Sequence, residues 1–194
     1  MSSTKDSRSK IVDTFARWTA LSALRSGSRI KSRHDIYPLL ASVDFERWLV
    51  PTSGPSSAQA FEAWHRNMVA LLVRREPRLG VGWAAKLLNV YLKTACYVGD
   101  LGSPEVRNVL HPPIDSGLWA GIAHRFAGQK DLLGDTHHVT HIRDIKTYDD
   151  YARIIRGCRR VASELQCRLI EVDQLWDPSV AGPITSDDAS PRSH

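Results

Sequence analysis

Apolar residues recur every three or four positions along four long segments, residues 9–25, 58–75, 82–98 and 148–166. This spacing is the period of an amphipathic helix, and no comparable set of alternating apolar and polar residues indicates strands. A further helix is predicted to begin just after Asp115, while residues 167–176 fit a strand or a helix. The pattern predicts a mainly α fold, a single-domain helical bundle.

The segments without this period divide the chain into one folded unit and two ends. With 194 residues, the chain has the size of one domain. Residues 1–8 are predicted to be a disordered basic N-terminus, residues 9–176 the helical domain, and residues 177–194 a disordered tail. Inside the domain, residues 51–57 are a predicted loop that ends in a serine helix cap, and the His- and Asp-rich residues 128–146 are a second loop.

Charge adds a preference for a polyanionic partner. The chain has 26 Lys and Arg against 21 Asp and Glu, a net charge of +5, and an isoelectric point of about 9.3. Basic residues cluster at the start of the chain, between Arg25 and Arg33, and between Arg156 and Arg160. Such clusters favour nucleic acid over an acidic protein surface. We therefore expect DNA as the partner.

The cysteines and the apolar runs indicate the compartment. Cys96, Cys158 and Cys167 form no C-x-x-C pair, which favours free thiols in a reducing environment. No apolar run approaches the ~20 residues of a membrane span, and the polar start lacks the apolar core of a signal peptide. We expect a cytoplasmic monomer without membrane association, cofactor or protein partner. The sequence has no Walker loop, Rossmann fingerprint or G-x-S-x-G motif.

The first candidate for chemistry is a pair of lysines in the third helical segment, G80-V-G-W-A-A-K86-L-L-N-V-Y-L-K93. Residues seven apart lie on the same side of a helix, so Lys86 and Lys93 are predicted to share one side with Val90 between them. Taken alone, the pair fits two solvated lysines at the edge of a buried helix.

The second candidate is the segment L-H-P-P-I-D, residues 110–115. Pro112 and Pro113 restrict φ and hold an extended approach to the following helix. Asp115 then occupies the N-cap position, where it accepts backbone N–H groups and stays ionised. Taken alone, this residue fits a structural cap.

Together these two motifs resemble those of a known enzyme family. A G-V-G-x-x-x-K segment followed by P-P-I-D at the head of a helix is similar to the helix-hairpin-helix DNA glycosylases. K-L-L-N-V-Y-L-K with P-P-I-D is most similar to the archaeal 8-oxoguanine glycosylases and their bacterial relatives. The resemblance covers roughly residues 58–125. It implies a helical glycosylase fold, Lys86 as the nucleophile and Asp115 as the activating carboxylate.

The implied chemistry fits these residue types. Cleavage of a base–sugar bond builds positive charge on C1′, which an ionised aspartate stabilises. A neutral lysine amine can attack C1′, displace the base and form a Schiff base, from which β-elimination nicks the strand. Burial of Lys86 and a second cation at Lys93 would both favour the neutral amine. Lys93 is alternatively a phosphate contact.

The resemblance also implies further site residues. The family closes its pocket with an acid and an aromatic on a late helix, and Asp173 and Trp176 occupy a similar place here. Trp64, on the helix before the lysines, is a candidate wall for a flipped base. Gly80 and Gly82 are the candidate DNA-clamping turn. Each also has a structural interpretation, as core packing or a helix-terminal residue.

Three departures from the family bear on the substrate. Lys86 is four residues after Gly82 rather than two, and Asp173 and Trp176 are three apart rather than four. Val90 occupies the position of a phenylalanine that stacks on oxidised guanine in the archaeal enzymes. The substrate is therefore predicted to be either oxidised guanine or a bulkier modified base, such as a hypermodified phage base.

Two other functions fit the same residues. A non-catalytic helical DNA-binding protein would use backbone N–H groups of Gly80 to Gly82 and the arginine clusters to hold phosphates. A monofunctional glycosylase would use Asp115 to activate water, with Lys86 only positioning DNA. The histidines of H137-H-V-T-H141 match no established metal-site pattern, so no metal is predicted.

Overall fold

The computed structural model describes residues 2–24, 27–50 and 57–177, with the side chains of residues 2–6 excepted. The described residues are 74% helical and contain no strand, which confirms the mainly α prediction. The α-helices are α1 (Ser2–Leu24), α2 (Arg33–Ala41), α3 (Glu46–Leu49), α4 (Ala58–Arg75), α5 (Gly80–Leu92), α6 (Ser116–Arg125), α7 (Lys130–Thr136) and α8 (Tyr148–Glu164). Short 3₁₀ helices are Pro77–Leu79, Pro104–Asn108, Ile142–Asp144 and Leu169–Leu175.

Helix boundaries follow the local sequence where capping residues are present. The Ser57 side chain accepts a hydrogen bond from the backbone N–H of Ala60 at 3.1 Å, and α4 begins at the next residue as predicted. Thr147 and Asp150 form a reciprocal capping box at the start of α8. The predicted helix over 82–98 is α-helical to Leu92 and continues as a π-helical turn, Lys93–Val98.

Three segments differ from the sequence-based expectation. Helix α1 begins at Ser2, so the polar N-terminus belongs to the helix. Residues 128–146 include α7, because Leu132 and Thr136 are buried against the neighbouring helices. Residues 167–176, for which strand and helix were both open, contain the 3₁₀ helix Leu169–Leu175. Most of the predicted tail (178–194) and of the predicted loop (51–56) lies outside the described residues.

Helix α5 is the centre of the fold. Residues 84–92 are all buried, because α1, α4 and α8 surround this helix. Among these residues Lys86 and Asn89 are polar, and both have polar partners. The packing of α5 therefore fixes the positions of the Lys86 and Asn89 side chains inside the protein.

Helix α1 runs antiparallel to α5 and the π-helical turn. Near its start Arg8 donates to the backbone carbonyl of Gly99, and just after its end Gly27 packs against the ring of Trp83. Fully buried alanines, Ala16 and Ala20, form part of the contact face. Three apolar residues of the predicted stripe are instead exposed, Ile11, Phe15 and Trp18. Small residues at the contact allow the two helix axes to approach closely.

Within the described part of the chain, every helix is too short or too polar to cross a membrane.

Candidate active site

A buried ion pair joins the two residues that the sequence singles out. Lys86 on α5 is only 6% exposed, and its Nζ lies 3.0 Å from Oδ2 of Asp115. The other carboxylate oxygen, Oδ1, accepts the backbone N–H of Leu118 at 3.0 Å and so caps α6. Asp115 therefore caps a helix and binds the lysine with different oxygens, which fixes the carboxylate in one orientation.

An aromatic ring also lies beside Lys86. Its Nζ lies 5.5 Å from the centre of the Trp83 ring, within cation–π range. Trp83 is held by the turn after α1, where a Cβ on Gly27 would lie 3.0 Å from the ring. A buried lysine is tolerated when a carboxylate and other polar or aromatic groups surround it.

A second ion pair lies beside the first. Lys93 Nζ donates to Oδ2 of Asp173 at 2.6 Å. Lys93 is the first residue of the π-helical turn and Asp173 belongs to the 3₁₀ helix Leu169–Leu175. The sequence-based hypothesis used Lys93 as an uncompensated cation that favours a neutral Lys86. In the structure the charge of Lys93 is balanced by Asp173, which weakens this electrostatic effect on Lys86.

Both ion pairs line one cavity of about 300 Å³. We call it the lysine cavity. Two apolar residues, Ala23 and Pro113, complete part of its wall. Six residues predicted from sequence line it: Lys86, Val90, Lys93, Asp115, Asp173 and Trp176. The fold thus brings together side chains from α5, the π-helical turn, the N-cap of α6 and the C-terminal 3₁₀ helix.

Trp176 forms the exposed wall of the cavity and depends on two glycines of α6. A Cβ on Gly117 would lie 2.3 Å from Trp176 Nε1, and one on Gly121 would lie 1.7 Å from the carbonyl oxygen of Leu175. A larger residue would displace the indole of Trp176 at the first position and the backbone of Leu175 at the second. Sequence reasoning missed these residues, although the G-x-x-x-G spacing in S116-G-L-W-A-G121 places both on one side of a helix.

Three other predicted site residues lie elsewhere. Trp64 is in the core, where its Nε1 donates to the Asp44 carbonyl and its ring packs on aromatic neighbours, so it does not line the cavity. Gly82 is buried, and a Cβ there would lie 2.1 Å from the Ile142 carbonyl oxygen, so it serves internal packing. Gly80 has a φ of 66° and open space where a Cβ would be, which suits a turn before α5.

Asn89 connects α5 to the segment that carries Asp115. Its Nδ2 donates to the carbonyl of Pro112 at 3.1 Å and to the hydroxyl of Tyr151 at 2.9 Å. A carbonyl only accepts, so Nδ2 occupies this side and Oδ1 faces Nε2 of His65 at 3.0 Å. Asn89, three residues after Lys86, thus fixes the backbone of Pro112, three residues before Asp115.

The histidines next to Asn89 are neutral. Burial lowers the pKa of His65 to about 3. Since His65 Nε2 donates to Asn89, its Nδ1 accepts from the hydroxyl of Tyr148, 2.9 Å away. Burial likewise lowers the pKa of His111 well below its usual value, and its Nδ1 lies 2.9 Å from the Tyr151 hydroxyl. The network is uncharged, and the Asn89 amide fixes the direction of the bonds through His65 to Tyr148.

The histidines considered for a metal have other partners. His137 Nε2 lies 3.0 Å from the Trp119 carbonyl and His138 Nδ1 lies 2.8 Å from the Asp135 carbonyl. Among the described residues, no group of three or more histidine, cysteine, aspartate or glutamate side chains has the arrangement of a metal site.

The chain was compared with models of known protein families, with curated proteins and with solved structures. None of the three comparisons gives a match. The two ion pairs and the cavity they line are therefore the basis on which a function can be assigned.

Proposed function

We propose that the protein is a DNA glycosylase of the helix-hairpin-helix type that excises a modified base from DNA. Lys86 is the nucleophile and Asp115 is the carboxylate that activates it. The observation that carries this proposal is the buried Lys86–Asp115 pair, with 3.0 Å between Nζ and Oδ2, at the wall of a cavity of about 300 Å³. Nucleophile and base within hydrogen-bond reach are what covalent catalysis by an amine requires.

The reaction begins with a proton transfer inside the ion pair. Asp115 Oδ2 accepts a proton from Lys86 Nζ, which gives the amine a free electron pair. The amine attacks C1′ of a nucleotide flipped into the cavity, the C1′–N glycosidic bond breaks, and the base leaves with the bonding electrons and is protonated. Opening of the sugar ring then gives a Schiff base between C1′ and Nζ.

Strand cleavage is a further step from the same intermediate. Loss of a proton from C2′ and departure of the 3′ phosphate would complete a β-elimination, after which water releases Lys86. An enzyme that stops earlier would hydrolyse the Schiff base without cutting DNA. A monofunctional enzyme would instead use Asp115 to activate water, with Lys86 as a positioning cation.

The substrate is proposed from the size of the cavity lining. Val90 lies between the two lysines and is smaller than an aromatic residue, so it leaves room beside the base. We propose either oxidised guanine or a bulkier modified base, such as a hypermodified base of phage DNA. We also propose a monomer that works in the reducing cytoplasm, and the three free cysteines support this compartment.

Borohydride trapping tests the proposal. The purified protein is incubated with duplexes that contain 8-oxoguanine or a hypermodified pyrimidine, and a covalent protein–DNA adduct is sought. We expect an adduct that is lost in Lys86→Gln and kept in Lys130→Gln, since Lys130 is exposed on α7. Free base without an adduct, lost in Asp115→Asn, would identify the monofunctional mechanism.

Lys86→Arg separates catalysis from DNA binding. A guanidinium keeps the charge but cannot act as an amine nucleophile. The glycosylase proposal therefore expects DNA binding with no base release. Release of base from no duplex, together with normal DNA binding by Lys86→Arg, would favour the non-catalytic DNA-binding protein.

A further inference from the structure

The lysine cavity borders a second depression on the protein surface. This depression, the outer groove, has a volume of about 520 Å³ and includes Lys93, Tyr97, Cys167, Glu171, Asp173 and Gln174 in its lining. Lys93 and Asp173 line both spaces. The two compartments therefore meet at a single ion pair.

This junction is reachable by a ligand from either compartment. The side chains of Lys93 and Asp173 are 30% and 20% exposed, unlike the nearly buried Lys86. An ammonium carries three N–H donors and a carboxylate has about four acceptor positions. The bond between Lys93 Nζ and Asp173 Oδ2 uses one of each, so both groups keep capacity for a ligand.

The polar side chains of the outer groove suit neutral hydroxyl groups. Glu171 Oε1 accepts from the Tyr97 hydroxyl at 3.0 Å, and Oε2 accepts the Arg168 backbone N–H at 2.8 Å. The Arg168 N–H is the main reason that the pKa of Glu171 is lowered, so this carboxylate is ionised. Both carboxylates are balanced by cations, Glu171 by the Arg168 guanidinium at 3.4 Å and Asp173 by Lys93, which suits a neutral ligand. Their remaining lone pairs accept hydrogen bonds from hydroxyls.

The volumes of the two spaces also differ. The lysine cavity, at about 300 Å³, lies at the lower end of the volumes of small-molecule sites. The outer groove is larger and more open, and Val98 and Ile170 add apolar surface to its lining. A flipped base would occupy the lysine cavity. A substituent on that base would extend past the Lys93–Asp173 pair into the outer groove.

We propose that the outer groove is a subsite for a neutral, hydroxyl-bearing substituent, of the hexose class, on the base held in the lysine cavity. Lys93 and Asp173 contact the linkage between base and substituent, and Glu171 with Tyr97 binds the distal hydroxyls. This inference rests on the proposed glycosylase function. It selects the bulkier modified base over oxidised guanine.

The test compares two DNA duplexes that differ only at one base. One contains 5-hydroxymethylcytosine, and the other carries a hexose on the same hydroxymethyl oxygen. Single-turnover base release is measured for the wild type and for Gln174→Trp, which fills the groove from its exposed rim. Ser163→Trp, which adds the same ring to another exposed groove, is the control.

The wild type should release the hexose-bearing base at least about tenfold faster than the bare base, as expected for about 1.4 kcal/mol of added transition-state binding. Gln174→Trp should remove this preference and leave release of the bare base within about twofold, a barrier change below 0.5 kcal/mol by the same relation. Ser163→Trp should behave as the wild type.

Two results would overturn the subsite and leave the glycosylase standing. One is equal release of both bases, or faster release of the bare base, by the wild type. The other is a decrease in the rate of base release by Gln174→Trp that is equal on both duplexes. Absence of base release and of a trapped adduct on both duplexes would overturn the glycosylase function and the subsite with it.

Discussion

Lys86 and Lys93 lie seven residues apart on one side of the central helix and line the same cavity, yet each is paired with a different carboxylate. The two carboxylates are similarly exposed, at 22% and 20%, but the Lys86 side chain is 7% exposed and that of Lys93 is 30% exposed. Burial of the Lys86 side chain strengthens its interaction, and solvent weakens that of Lys93. One helix side thus presents an enclosed lysine suited to proton transfer and an accessible lysine suited to contact with a ligand.

Replacement of Asp115 should separate its role as the N-cap of α6 from its role in the ion pair with Lys86. Asparagine caps a helix about as well as aspartate, whereas alanine at an N-cap costs about 1 kcal/mol. Both variants lose the ion pair to Lys86, so Asp115→Ala should be less stable than Asp115→Asn by about 1 kcal/mol. Neither should release base. Urea unfolding and single-turnover base release measure the two effects, and base release by Asp115→Asn would contradict the assigned role.

A methyl group at Gly117 should displace the exposed wall of the cavity. The added Cβ would lie 2.3 Å from Trp176 Nε1, so the indole must move. We expect Gly117→Ala to reduce base release by about tenfold, equivalent to about 1.4 kcal/mol. Thermal unfolding should show that the fold is retained.

Gly134→Ala is the matched control for this change. Gly134 is within α7, and no atom lies within 4 Å of the position of its Cβ. The substitution should stabilise the protein by up to about 1 kcal/mol, because alanine is the better helix former. Its base release should equal that of the wild type. If both variants behave alike, Trp176 does not contribute to the site.

Removal of the Asn89 side chain should destabilise the protein and disturb the position of Asp115. Asn89→Ala leaves the Pro112 carbonyl and His65 Nε2 without their partner and removes one of the two hydrogen bonds of the Tyr151 hydroxyl. One unsatisfied buried polar group costs about 1–3 kcal/mol. We expect the free energy of unfolding, measured with denaturant, to fall by about 3 kcal/mol, since three such groups are affected in part. Asn67→Ala, at an exposed position on α4, should stay within about 0.5 kcal/mol of the wild type.

The neutral histidines predict that stability falls on mild acidification. The pKa of His65 is lowered to about 3 in the folded protein, against 6.5 as its ordinary value. Between these values the unfolded chain binds a proton that the folded chain does not, so the stabilisation is complete above pH 6.5 and declines as the pH falls toward 3. The pKa of His111 is lowered mainly by burial, with a contribution from the Arg159 charge, and this shift acts in the same direction.

Urea unfolding at pH 7, 6 and 5 measures this effect. Each histidine should contribute up to about 1.4 kcal/mol per pH unit to the slope. His65→Gln should reduce the slope by one such contribution, whereas His34→Gln, at an exposed position, should leave it unchanged. A wild-type slope that His65→Gln does not alter would show that His65 is protonated in the folded state.

Four residues of the cavity were accessible to sequence reasoning because their placement depends on local rules, whereas Asp173 and Trp176 were expected only from the family resemblance. Helical spacing places Lys86, Val90 and Lys93 on one side, and the Pro-Pro segment followed by aspartate indicates the N-cap at Asp115. The boundaries of α4 follow from Ser57 and the proline after the helix. The catalytic roles of Lys86 and Asp115 remain predictions until base release is measured.

The roles of residues whose neighbours come from distant parts of the chain could not be predicted from the sequence. Periodicity indicates that Trp64 faces inward but does not distinguish the core from a cavity wall. Gly82 and Gly117 pack against Ile142 and Trp176, each about sixty residues away along the chain, and nothing near either glycine indicates that contact. On α1, alanines rather than the large apolar residues form much of the helix contact, because close approach of two helices favours small side chains.

The π-helical turn Lys93–Val98 would allow the two compartments to change independently in evolution. A π turn corresponds to one residue inserted into an α-helix. Deletion of one residue there would restore α geometry and shift the remaining side chains of the turn around the helix by up to about 100°, which would carry Tyr97 away from Glu171. The Lys86–Asp115 pair lies on the N-terminal side of the turn and would be unaffected. A lineage could thus gain or lose its preference among substituents by a single-codon change while it keeps the same reaction.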